Sequence, residues 1–295
     1  MRNEGGSTMK AVFSGRVVLV TGASRGIGRA VALAFARQGA RLVLAARSAD
    51  GLAQVADEVR ALGSQVLTVP TDVTSPSAVA ALVEAATDRF GRIDVLVNNA
   101  GVGRVGEVES PAFADDVRHT LQASLFGTIS VTQRVVPVMS RQRGGAIVNM
   151  SSVMGRKAFA RFGSYAIVMH SVSAFSDSLR QEVAGRNIRV TVMYPALTAT
   201  DLLKDAEEAE MPPPFRYMTP LSAEGVAREV VDAVRYGKRR VVLPRMANML
   251  LLGEALSPRV GDLIASALAR RPVVRVLGLG RGGTYHETLR ARAGS

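Results

Sequence analysis

The sequence predicts an α/β protein, a doubly wound seven-stranded parallel sheet with helices on both faces and a C-terminal helical extension. Two observations point there. Short runs of Val, Ile and Leu recur at separations long enough to hold crossover helices, and the runs are continuous rather than alternating with polar residues, as strands covered on both faces require. A chain of 295 residues with 47% hydrophobic content also has ample apolar surface for one large core.

Along the chain, residues 1–11 hold no apolar run long enough for a secretory signal and carry a second Met at position 9, so they are expected to be a disordered leader. Strands are expected at residues 17–20, 42–44, 66–69, 95–97, 146–150, 190–192 and 241–243, all within one domain over 12–245. Residues 201–220 break the rhythm. There an acidic cluster (Asp205, Glu207, Glu208, Glu210) precedes Pro212, Pro213 and Pro214, a composition that suits a mobile lid over a site or a solvated insertion. A helix is expected at about residues 222–235. Residues 246–295 form the extension. Its apolar stretch is interrupted by Glu254, Pro258, Arg259 and Asp262, too often for a spanning helix, and reads as two amphipathic helices joined near Ser257 and Pro258.

Composition removes several kinds of chemistry. With no Cys there is no disulfide, thiolate nucleophile or thiolate metal site, and three scattered His (His119, His170, His286) make a metal centre a poor expectation. The net charge of +12, from 37 Lys+Arg against 25 Asp+Glu, suggests an anionic partner. Its location narrows that suggestion: residues 1–234 carry +3 and residues 235–295 carry +9. No basic helix is patterned for a groove and aromatic residues are sparse, so nucleic acid is not expected. The basic extension could contact an anionic membrane peripherally, roof a lipophilic pocket, pack on another subunit, or dock on the body with its arginines solvated.

After the first strand come Thr21, Gly22, Ala23, Ser24, Arg25, Gly26, Ile27 and Gly28, leading into a helical pattern. Glycines so spaced permit a tight turn, close approach of a pyrophosphate and close packing of helix on sheet, with helix N–H groups facing the anion. The second strand ends at Ala46 and Arg47, where an acidic residue would hold both ribose hydroxyls. Arg47, with Arg25, favours NADP(H) by charge complementarity.

Further along stand Asp72 and Val73, then Asn98, Asn99, Ala100 and Gly101, then Ser152, Tyr165 thirteen positions later, and Pro195 to Thr200 after the sixth strand. Five motifs in this order and spacing resemble the short-chain dehydrogenase/reductase family over roughly residues 14–245. The resemblance implies a Rossmann-type fold, a nicotinamide cofactor, and hydride transfer to or from a carbonyl or alcohol carbon. It places Asp72 and Val73 along the adenine, Asn98, Ala100 and Gly101 in the cofactor cleft, and Pro195, Thr198 and Thr200 near the nicotinamide or phosphates. Asn98 could instead tie neighbouring strands, and Gly101 could only relieve a turn. A homo-oligomer and a cytoplasmic location are also expected, with peripheral membrane association through residues 246–295 as one of the options left open for the extension.

A hydride delivered to a carbonyl leaves charge on oxygen, so a donor and a proton source are needed there. By resemblance Ser152 polarises that oxygen and Tyr165 protonates it. Two departures from the family stand out. The Lys expected four residues after the Tyr is Met169, with His170 about 100° further round the helix, and the family's Asn is replaced by Ser124. A nearby cation, Arg156, Lys157 or Arg161, could restore part of the lost field. Three functions are compatible: an NADP(H)-dependent reductase of a ketone, aldehyde or quinone; a cofactor-binding but catalytically silent protein; and a fold repurposed for isomerisation or cyclisation.

Overall fold

The computed structural model of the chain describes residues 12–203, 211, 213–276, 279–280 and 282–293. Strands β1 (Val17–Thr21), β2 (Arg41–Ala46), β3 (Val66–Pro70), β4 (Val95–Asn98), β5 (Gly145–Met150), β6 (Ile188–Pro195) and β7 (Arg240–Leu243) form one sheet in the order β3-β2-β1-β4-β5-β6-β7. Every pairing is parallel; Val18, for example, registers with Leu42 on one side and Val95 on the other. The seven expected strands are all present, with β6 longer than its apolar run because it continues through Met193 and Tyr194 to Pro195.

Helices α1 (Gly26–Ala36), α2 (Ala49–Ala61), α3 (Pro76–Phe90), α4 (Phe113–Thr120), α5 (Gly127–Arg141) and α6 (Gly163–Glu182) make the crossovers, with a π-helical turn at Leu121–Phe126. After β6 come α7 (Pro213–Arg216) and α8 (Ala223–Tyr236), then, beyond β7, α9 (Ala247–Leu256), α10 (Pro258–Leu268), α11 (Arg271–Val276) and α12 (Tyr285–Ala293). Local chemistry sets several boundaries. Ser48, Ser75 and Ser222 cap α2, α3 and α8 by accepting backbone N–H bonds, and α3 and α8 end at Gly91 and Gly237 in the left-handed conformation.

The continuous apolar strands make sense once both sheet faces are seen to be covered. Val18 and Val20 of β1 join the core beneath α1, α2 and α8, whereas Val17 and Leu19 join the opposite core beneath α3, α5 and α6. Because the chain runs outward from β1 to β3 and then returns to β4, a crevice opens beyond the carboxyl ends of β1 and β4.

The extension forms the two expected helices, α9 and α10, separated by Ser257, and then turns back onto the body. The Lys157 Nζ pairs with Glu254 at 2.7 Å and Asp262 at 2.6 Å; the Thr219 N–H donates to the Leu279 carbonyl at 2.8 Å; and the Tyr285 hydroxyl donates to the Thr200 carbonyl. The expected leader and the acidic part of the expected lid lie outside the described residues. Among the described residues no helix is long and apolar enough to cross a membrane.

Candidate active site

The crevice is a cleft of about 920 Å³, near the upper end of the ~300–1,000 Å³ usual for small-molecule sites. One wall is the turn from β1 into α1. Gly22 sits there at φ +64°, and a Cβ on it would lie 2.9 Å from the Ala100 Cα, so the two loops approach as closely as backbone allows. Gly28 is packed tighter still: a Cβ would fall 2.2 Å from the Gly22 carbonyl oxygen. Helix α1 begins at Gly26 without a side-chain cap, and Gly26 and Ile27 line the cleft, which leaves unpaired N–H groups of the first turn at its wall.

Most of the residues singled out in the sequence converge on this cleft: Gly22, Ser24, Arg25, Gly26, Ile27, Arg47, Asp72, Val73, Ala100, Gly101, Ser152, Tyr165, Pro195, Thr198 and Thr200. Three do not. Asn98 is 2% exposed and lies behind the wall, its amide donating to Asn149 Oδ1 at 2.8 Å and Thr132 Oγ1 at 3.0 Å, so it ties β4 to β5 and α5. Thr21 is equally buried, and its hydroxyl accepts the Asn99 and Ala100 N–H groups, bracing the turn from within. Gly28 serves the packing just described. Asn99, rather than Asn98, reaches the cleft, while its amide donates to the Thr21 and Gly22 carbonyls.

On the opposite wall, β5 delivers Ser152 and α6 delivers Tyr165. The Ser152 hydroxyl donates to the Pro195 carbonyl and accepts the Met154 N–H, both at 3.2 Å, and it is close enough to the Tyr165 hydroxyl to favour its ionised form slightly. Tyr165 opens toward the cleft but is otherwise surrounded by protein. Burial pushes its hydroxyl up to about 12, against a smaller downward pull from Ser152, and among the described residues no charged group contributes.

Met169 follows one helical turn after Tyr165 and also lines the cleft, 4% exposed in an apolar cluster with Val168, Val172, Leu121 and Leu125. His170 turns away, its Nδ1 against the Ala166 carbonyl. The three candidate replacement cations do not reach the cleft either. Arg156 is exposed outside it, Lys157 is held by Glu254 and Asp262, and Arg161 lies 3.5 Å from Glu107. Their position in the sequence, close after Ser152, suggested proximity, but none of the three is among the residues that line the cleft. Ser124 occupies the π-helical turn, its Oγ accepting the Val102 N–H at 3.1 Å beside Gly101.

Sequence reasoning missed several lining residues. His119 and Gln122 come from the α4 end and the π-helical turn, which no local pattern announces. Tyr285 comes from α12 and is 2% exposed; nothing in the sequence ties a tyrosine so far beyond β7 to the loop after β6. Apolar side chains, Met154, Phe162, Leu197 and Leu202, also line the cleft.

The fold and its crevice are those of a dinucleotide-type α/β protein, and the comparisons give its family. The sequence pattern of the short chain dehydrogenase family matches residues 16–211, and the chain belongs to that family. It is 32% identical to dehydrogenase/reductase SDR family member 7B of Bos taurus over 89% of this chain and 84% of that one. It is 38% identical to glycine betaine reductase ATRR of Emericella nidulans over 77% of this chain, a stretch spanning 18% of that much longer protein. A crystal structure of a short chain dehydrogenase/reductase from Burkholderia phymatum in complex with NAD superposes with a TM-score of 0.76 at 27% identity, covering 84% of this chain and 95% of that one.

Proposed function

We propose that this oxidoreductase is an NADP(H)-dependent carbonyl reductase acting on an apolar ketone, aldehyde or quinone. The single observation that carries the reading is the placement of Ser152 and Tyr165 together in a cleft that apolar side chains also line, with the uncapped start of α1 and Arg25 and Arg47 along the same cleft.

The residues present fit a dinucleotide. The turn at Gly22 has no room for a Cβ, the first turn of α1 offers N–H groups to a pyrophosphate, and two guanidinium groups, Arg25 and Arg47, suit a 2′-phosphate. Asp72 is held below the usual carboxylate range by hydrogen bonds from Thr74, with Arg47 helping, so it remains an anionic acceptor. When bound, the nicotinamide supplies or accepts the hydride. The chain's own groups manage the substrate oxygen. Ser152 exchanges its Pro195 acceptor for that oxygen, and Tyr165, a neutral phenol at physiological pH, passes its proton to the oxygen as negative charge builds there. Reduction therefore needs no tyrosinate, which is why the loss of the expected Lys at Met169 weighs more on alcohol oxidation than on carbonyl reduction.

Consumption of NADPH against a panel of ketones, aldehydes and quinones tests this reading, with bound NADPH measured separately by fluorescence. Tight NADPH binding without turnover of any carbonyl, together with turnover gained in Met169→Lys, would overturn it in favour of a cofactor-binding, catalytically silent protein. The apolar surroundings of Met169 are what favour that second reading.

A further inference from the structure

The outer face of the α9–α10 hairpin is unlike the rest of the surface. Of the fourteen large apolar side chains exposed among the described residues, seven fall within residues 246–276. Met249, Leu252 and Leu256 form a stripe along α9 at helical spacing, each more than half exposed, and Leu263, 70% exposed, stands on the outer face of α10 with Val260. The inner faces are already used. Leu250 and Gly253 of α9 and Gly261 of α10 are buried, and Ile264 and Ala265 pack with Leu250 on the apolar cluster of Phe159, Phe162 and Phe215 behind the active site.

Charge is sorted in the same way. The two acidic residues of the hairpin, Glu254 and Asp262, both give their carboxylates to Lys157 of the body. The arginines have no such partner: Arg259, Arg270 and Arg275 are exposed and make no ion pair among the described residues, and Arg271 is exposed beside them with only Glu287 nearby. Arg259 lies one turn before Leu263 on α10, and Arg270 follows just beyond the helix end. An apolar stripe rimmed by arginines, with its acids drawn onto a body lysine, is complementary to a surface that is apolar within and anionic at its edge. A second copy of the chain would set two such arginine rims against each other, so charge argues against self-association.

We propose that the outer face of the α9–α10 hairpin docks peripherally on an anionic lipid bilayer, with Leu256 and Leu263 entering the headgroup boundary and Arg259, Arg270 and Arg271 meeting lipid phosphates. The hairpin then joins two surfaces, lipid on its outer side and the apolar cluster behind the active site on its inner side.

Flotation of the full chain with phosphatidylcholine vesicles, and with vesicles carrying phosphatidylglycerol as about a third of their lipid, tests the proposal. The chain should float with the anionic vesicles at low salt and remain behind with the neutral ones. Arg259→Gln with Arg270→Gln should weaken vesicle binding about 25-fold, at roughly fivefold for each arginine near the surface. Leu256→Ser with Leu263→Ser should abolish flotation while leaving NADPH binding unchanged, because both side chains face away from the body. Failure of the wild-type chain to float would overturn the proposal, as would equal flotation with both vesicle types or binding insensitive to either double variant. A concentration-dependent dimer abolished by the Leu double variant would identify a second copy as the occupant and would also overturn it.

Discussion

At the scale of single residues, the proposed chemistry rests on a tyrosine whose environment favours the protonated form. Burial pushes Tyr165 up to about 12, so at pH 7 about one molecule in 10⁵ carries a tyrosinate. Reduction draws on the phenol and should hold level up to about pH 10. Oxidation draws on the ionised form and should rise roughly tenfold per pH unit through the alkaline range without a plateau. Rate profiles in the two directions check this. Met169→Lys should bring an oxidation plateau into the accessible range, because a cation one turn away lowers a phenol. Tyr165→Phe should cut carbonyl turnover by about 10²–10⁴-fold with NADPH binding retained, the usual worth of a positioned proton donor. On the cofactor side, Arg47→Asp should reverse the preference between NADPH and NADH, read as the ratio of kcat/KM values; an unchanged ratio would remove Arg47 from 2′-phosphate recognition.

At the scale of elements, the turn from β1 into α1 and the contacts of the extension decide how well the cleft is held. Gly28→Ala would drive a methyl group into the Gly22 carbonyl, which must shift the helix or the turn; a loss of about 1–3 kcal/mol in a denaturant titration is expected, with weaker NADPH binding. Lys157→Gln leaves Glu254 and Asp262 facing each other without their shared cation. Because Asp262 is 71% exposed and screened, the cost is put at about 1–2 kcal/mol, below that of a fully buried pair. That loss should appear first as faster amide hydrogen exchange in α9 and α10. The strands and the glycine-rich turn were legible because continuous apolar runs and φ-demanding glycines are local signals. The division of labour between Asn98 and Asn99 was not, since adjacent residues on a strand end face opposite ways and only the register with Thr21 and Asn149 shows which one meets the cleft.

At the scale of the whole molecule, the seven-stranded parallel sheet followed from the alternation of apolar runs and helical patterns; its order, β3-β2-β1-β4-β5-β6-β7, is what the structure adds, and the crevice follows from that order. The path of the extension did not. Its return depends on an ion triad, on Thr219 with residues 279 and 282, and on one tyrosine hydroxyl, none of which leaves a periodic trace in the sequence. Tyr285 bears on when the enzyme matures as well as on how it works. All seven strands precede it, so during synthesis the sheet can form and its glycine-rich turn can be in place while Tyr285, among the described residues the one lining residue from beyond β7, is still missing. A nascent chain arrested after β7 would carry a sheet without a finished pocket, and acquisition of activity should trail acquisition of structure by the time α12 takes to emerge and fold back.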